Sequence, residues 1–151
     1  MIISFAGHRF IYDKTNVKNM VKEKIKTCVS NEDGIYFYLG GYGDFDNLCA
    51  TACREVKAEF PRAELVYVTP YLTLNEQKRI KEMLKLRLYD SIIYPPIEKT
   101  PPKYAISKRN EWMMKNSDIV IAYVKKSYGG AYNSISIAKR SGKKVINLYE
   151  E

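Results

Sequence analysis

Three short segments of the sequence carry residue types suited to holding an anion. Ala6-Gly7-His8-Arg9 puts a glycine, the one histidine of the chain and an arginine in a row. Gly40-Gly41-Tyr42-Gly43-Asp44-Phe45-Asp46 sets three glycines beside two carboxylates. Lys125-Lys126-Ser127-Tyr128-Gly129-Gly130-Ala131-Tyr132-Asn133 joins two lysines to a glycine pair. Glycine has no Cβ, so its backbone takes positive φ and approaches a ligand closely. Successive N–H groups can then point at an anion, and a helix that follows adds its positive end. A single glycine pair is explained by a tight turn. Two pairs with Arg9 nearby argue for a phosphate-bearing ligand. The standard phosphate motifs are absent: there is no Gly-x-x-x-x-Gly-Lys-Ser/Thr, and Gly41-x-Gly43 meets Asp46 where a dinucleotide fingerprint needs glycine.

Single residues refine this reading. His8 is placed to titrate near neutrality, but no serine or cysteine is visibly paired with it, so ligand hydrogen bonding or loop structure is favoured over base catalysis. Asp44 is either the N-cap of the helix that starts near Phe45 or an acceptor for ribose hydroxyls, with the cap favoured. Asp46, already inside that helix, is expected to contact ligand. Arg109-Asn110 lies on a later helix, where the guanidinium would pair with phosphate bidentately or be one more exposed charge. Cys49 and Cys53 lie four apart on one helical face and read as packing rather than zinc ligands. No metal and no cofactor is expected.

These residues must be positioned by a scaffold, and the pattern of apolar runs supplies one. Strands are expected at Ile2–Phe5, Ile35–Leu39, Leu65–Thr69, Ser91–Tyr94, Ile119–Val124 and Val145–Leu148. Helical spacing falls at Val17–Val29, Phe45–Phe60, Leu74–Leu88, Tyr104–Lys115 and Ile135–Arg140. Pro95–Pro102 holds four of the six prolines, so it reads as a loop, a lid or bridge. Alternating strands and helices with short loops imply an α/β, three-layer, Rossmann-like doubly wound and mostly parallel sheet of about six strands. Ligands bind such sheets at the carboxyl ends of the strands, where all three glycine segments would gather.

Composition bounds the rest. At 151 residues the chain is expected to form a single domain over 1–151. Residues 1–75 hold 9 Lys+Arg against 9 Asp+Glu, and residues 76–151 hold 16 against 8, so the whole excess of +8 sits in the second half. Such a half suits an anionic partner or a solvated surface. Three cysteines are too few for a disulfide scaffold and fit a reducing, cytoplasmic setting. The apolar runs are strand length, so no membrane partner is expected. Apolar helix faces leave a homo-oligomer possible. The 13 tyrosines invite base stacking but also suit strands.

In combination, the motifs resemble the SLOG superfamily, the Rossmann-like group that includes the LOG phosphoribohydrolases and the DprA DNA-binding proteins, and most closely its small YoqJ/YpsA-like branch. The resemblance rests on Ala6-Gly7-His8-Arg9, Gly40–Asp46, Pro70, Arg109-Asn110 ahead of the apolar strand, and Gly129-Gly130. It implies a nucleotide or nucleotide-derived ligand, bound by Gly7, His8, Arg9, Gly40, Gly41, Gly43, Asp44, Asp46, Arg109, Asn110, Gly129, Gly130, Ala131 and Asn133. In the LOG enzymes a Gly-Gly-x-Gly-Thr-x-x-Glu loop supports cleavage of a base–ribose bond. Here Tyr132, Asn133 and Ser136 replace the glycine, threonine and glutamate. Asp44, Asp46 or Glu111 would then have to supply the catalytic carboxylate, with Asp46 and Glu111 the catalytic candidates. The leading expectation is therefore a sensor or sequestering module for a nucleotide. An N-glycosidic hydrolase or transferase ranks second and nucleic-acid binding third.

Overall fold

A computed structural model describes residues 1–29 and 34–150. The chain alternates β1 (Ile2–Gly7), α1 (Lys14–Cys28), β2 (Tyr36–Leu39), α2 (Gly43–Glu59), β3 (Glu64–Val68), α3 (Leu74–Lys85), β4 (Ser91–Ile93), α4 (Ala105–Lys115), β5 (Ile119–Tyr123), α5 (Gly130–Arg140) and β6 (Lys144–Asn147). The strands form one sheet in the order β4-β3-β2-β1-β5-β6, and every pairing is parallel. This is the expected Rossmann-like architecture.

Period-two side-chain alternation gives each face of the sheet its own core. Ile3, Phe5, Phe37, Leu39, Leu65 and Ile121 pack against Val21 and Ile25 of α1 and Cys49, Ala52, Cys53 and Val56 of α2. Ala6, Val66, Val68, Val120 and Ala122 pack against Met113 and Met114 of α4 and Ile135 and Ala138 of α5. The proline segment bridges β4, at one edge of the sheet, to α4, with a single 3-10 turn at Pro102–Tyr104.

Chain order locates the crevice. From β1 the sheet grows outward through β2, β3 and β4, then returns to add β5 and β6 on the other side of β1. Successive loops leave in opposite directions between β1 and β5, which opens a gap above their carboxyl ends. Strand β1 is held there in register from Ile3↔Ile119 to Gly7↔Tyr123.

Two helix starts differ from expectation, and both matter. Helix α2 begins at Gly43 with Tyr42 at the N-cap position, so Asp44 lies within the first turn and is not the cap. Helix α5 begins at Gly130 rather than Ile135, because Gly129 at φ 94° turns the chain directly into the helix. Gly130 and Ala131 thus belong to its first turn, where free N–H groups collect, while the Asn133 N–H already donates to the Gly129 carbonyl at 2.9 Å.

Candidate functional site

A cavity of about 370 Å³ sits at this switch point. Gly7, His8 and Arg9 after β1 form one wall, Arg109 and Asn110 of α4 another, and Lys126 to Ala131 a third. Gly7 is there for packing: a Cβ would lie 2.2 Å from Cγ of Phe45, the buried residue through which α2 meets β1.

The floor is an arginine–carboxylate pair. Arg109 is 1% exposed. Its Nη1 donates to the carbonyls of Gly40 at 2.9 Å and Val68 at 2.6 Å, at the ends of β2 and β3. Its Nε donates to Oδ1 of Asn110 at 2.8 Å. The guanidinium lies 5.5 Å from the Tyr42 ring centroid, within cation–π range. Asp46 closes the turn by accepting the Tyr42 N–H at 3.1 Å on Oδ2. Burial pushes the Asp46 carboxyl up to about 6, against the opposing pull of the Arg109 charge and the Tyr42 amide. The carboxylate lines the cavity.

The opposite wall is held by His8. Its Nε2 accepts from the backbone N–H of Lys125 at 2.8 Å and more distantly from that of Lys126 at 3.4 Å. An accepting Nε2 requires a neutral ring protonated on Nδ1. Burial, then the charges of Lys126 and Lys125, lower the His8 pKa from its ordinary value. His8 therefore tethers the loop that leads into α5. Beyond that tether, a Cβ at Gly129 or Gly130 would meet nothing within 4 Å. Ser134, one turn into α5, is 6% exposed and lines the cavity, and its hydroxyl has no hydrogen-bond partner among the described residues.

No family model matches the chain, and no curated protein matches it. Solved structures do. DNA processing protein A from Streptococcus pneumoniae superposes with a TM-score of 0.64 at 16% identity, over 95% of this chain and 48% of that one. The same-named protein from Helicobacter pylori, whose structure concerns a single-stranded DNA binding mode, gives 0.61 at 18%, over 96% and 63%. In fold, the chain is similar to DNA processing protein A. It spans less than two thirds of the length of either protein.

Of the residues singled out from the sequence, Gly7, His8, Arg9, Asp46, Arg109, Asn110, Gly129, Gly130 and Ala131 line the cavity. The others do not. Gly40 packs on Asp46 and Arg109, where a Cβ would come within 3.1 Å of Oδ2 and 3.2 Å of Cζ. Gly41, at φ 72°, faces Cε1 of Tyr67 at 2.7 Å, and Gly43, at φ 89°, faces Cα of Arg9 at 3.0 Å. Asp44 accepts the Ile11 N–H at 3.0 Å and its own N–H donates to the Arg9 carbonyl at 2.8 Å, so it pins the loop after β1. Asn133 is exposed. Glu111 sits outside, ion-paired with Lys115 at 2.9 Å and Lys108 at 3.4 Å, which hold its pKa below the usual range. The set of ligand-binding residues expected from the sequence left out Tyr42, Lys126 and Tyr128, although they lie inside its glycine segments, and also Ile106, Met114 and Ser134, all of which line the cavity. Ser134 becomes visible only once α5 is started at Gly130, five positions before Ile135. Cys49 and Cys53 are fully buried, and no metal-holding group of side chains occurs among the described residues. Among those residues no helix is long and apolar enough to cross a membrane.

Proposed function

We propose that the protein binds single-stranded nucleic acid, with one backbone phosphate seated in the cavity between His8 and the start of α5. The observation that carries this reading is the convergence of Arg9, Lys126, the free N–H groups of the α5 first turn and the unpaired Ser134 hydroxyl on one cavity. Each is a donor or a positive charge, and together they fit a phosphate oxygen cluster. The printed subject of the Helicobacter pylori structure, a single-stranded DNA binding mode, supports a strand as the source of that phosphate and ranks nucleic acid ahead of a free nucleotide. The net charge of +8 suits the same partner. The motif order still favours kinship with the YoqJ/YpsA-like branch of SLOG proteins.

A free nucleotide is the second reading. It is favoured by Asp46, a carboxylate on the cavity wall able to accept from ribose hydroxyls. Asp46 is the one carboxylate in that lining. Glycosidic cleavage ordinarily recruits two, so binding is the better-supported role.

Fluorescence anisotropy with a labelled oligothymidylate tests this. Binding should weaken linearly in log–log form as salt rises. Arg9→Ala and Lys126→Ala should each flatten that slope by about one phosphate contact. Calorimetric binding of AMP at millimolar concentration with no binding of the oligomer would transfer the site to the second reading. No binding of either ligand at low salt would end both.

A further inference from the structure

The loop between β1 and α1 is built in a way that phosphate binding does not explain. The backbone at residues 9 and 11 is pinned to Asp44. The Arg9 carbonyl accepts the Asp44 N–H at 2.8 Å, and the Ile11 N–H donates to Asp44 Oδ2 at 3.0 Å. Ile11 is 6% exposed, and Asp13 then caps α1 by accepting the Asn16 N–H. The pinned loop bends at residues 9 and 12 and leaves the side chains of residues 10 and 12 in solvent. Those two residues are Phe10 and Tyr12, 83% and 105% exposed, and among the described residues neither ring contacts another. A loop held at three points presents two aromatic faces to water, immediately after the arginine that lines the phosphate cavity. Isolated surface aromatics are ordinary, but a rigid adjacent pair beside a cationic cavity is a contact surface.

Resting on the reading above, we propose that Phe10 and Tyr12 form a stacking platform for unpaired bases of the bound strand, next to the seated phosphate. Charge decides the occupant. Arg9 lines the cavity at one end of the loop, and Lys14, 3.7 Å from Asp44 Oδ1 with its side chain 62% exposed, follows at the other. A cationic border around flat aromatic faces is the surface that tracks a polyanion while its bases stack, and stacking tolerates any base because each has a π-face. The platform extends the site beyond one nucleotide, so affinity grows with strand length past the residue held in the cavity.

The experiment compares a short oligothymidylate with an abasic oligomer of equal length, against wild type, Phe10→Ala, Tyr12→Ala and Phe10→Trp. Both rings are outside the core, so melting temperature should be unchanged and confirms folded variants. Each alanine should weaken oligothymidylate binding by about five- to over a hundredfold, and leave abasic binding unaltered. Phe10→Trp should keep affinity, and its new fluorescence should be quenched by oligothymidylate and not by the abasic strand. Equal affinity of wild type and both alanine variants for oligothymidylate overturns the platform and leaves the phosphate reading intact. The same result would reassign the rings to a protein contact. Wild type that binds neither oligomer overturns the phosphate reading itself.

Discussion

The two glycine turns, Gly40–Gly43 and Gly129–Gly130, look alike in the sequence and do opposite things in the fold. Around the first, the protein fills the space with its own atoms: Arg109, Asp46, Tyr67 and Arg9 all crowd the positions where a Cβ would stand. Around the second, those positions are empty to 4 Å. Glycine in the first turn admits the protein to itself. In the second it leaves room for something else. A glycine pair therefore reports close approach, and only the identity of the approaching group separates a structural turn from a binding turn.

The sharpest break of the filled turn is Arg109→Met. It leaves the Gly40 and Val68 carbonyls without their buried donor and Asp46 without its neighbouring charge. Stranding a buried acceptor costs about 1–3 kcal/mol, and two are stranded here. At roughly 2–4 °C per kcal/mol for a chain of this size, thermal unfolding should drop by about 10 °C or more. Arg109→Lys should rescue little, because one ammonium cannot supply both the Nη1 donors to the two strand-end carbonyls and the separate Nε donor to Asn110. Full stability of the methionine variant would mean that the turn is held by something other than this guanidinium.

Alanine at matched glycines contrasts the two turns directly. Gly41→Ala meets Tyr67 at 2.7 Å with φ at 72°, so it should lose about 2 kcal/mol by overpacking and backbone strain. Gly130→Ala starts a helix in open space at ordinary φ and should hold or gain a few tenths. Its methyl group stands in the cavity lining, so oligonucleotide affinity should fall without loss of stability. Chemical denaturation and anisotropy on the same two variants read both effects. Equal destabilisation by both would erase the distinction.

Much of this was legible in the sequence, for particular reasons. Every strand but β6 carries a short apolar run ended by glycine, proline or lysine, so the order of elements and the parallel sheet follow from pattern. The three glycine segments were placed on one edge by topology alone. Arg109 was not readable as buried, because an arginine on an amphipathic helix ordinarily faces water and its two carbonyl partners lie 69 and 41 residues away. Glu111 was drawn in by its neighbours, yet two residues along a helix turn it about 200°, so a wall-facing Arg109 puts Glu111 outside. The start of α5 was hidden because Gly129 offers no capping side chain and no apolar spacing begins before Ile135. Ser134 was lost with it.

Acid titration separates the turns by sign, with the smallest expected effect. On the filled side, Asp46 keeps its proton below about pH 6 in the folded chain, whereas an unfolded aspartate does so only below about 3.9. The native state holds more protons through that window, so this group makes stability rise as pH falls from 6 toward 4. One face of the carboxylate meets the cavity, so the contribution is about 1 kcal/mol rather than the full shift. On the open side, the His8 pKa is lowered, so the unfolded chain takes up the proton first. Stability from this group is full above the ordinary histidine value near 6.5 and is lost as pH drops below it. Protonation of Nε2 also removes the acceptor that holds the Lys125 and Lys126 amides. The two trends oppose each other in wild type and must be read by difference. Asp46→Asn should remove the acid-side gain, while His8→Gln, which keeps an acceptor without a titration, should remove the acid-side loss. The protection of the Lys125 and Lys126 amides, relative to free-peptide exchange at the same pH, should fall on acidification below the ordinary histidine range in wild type and hold in His8→Gln. Exchange that follows Asp46→Asn instead would mean the open turn is governed from the floor of the cavity and not by its own histidine.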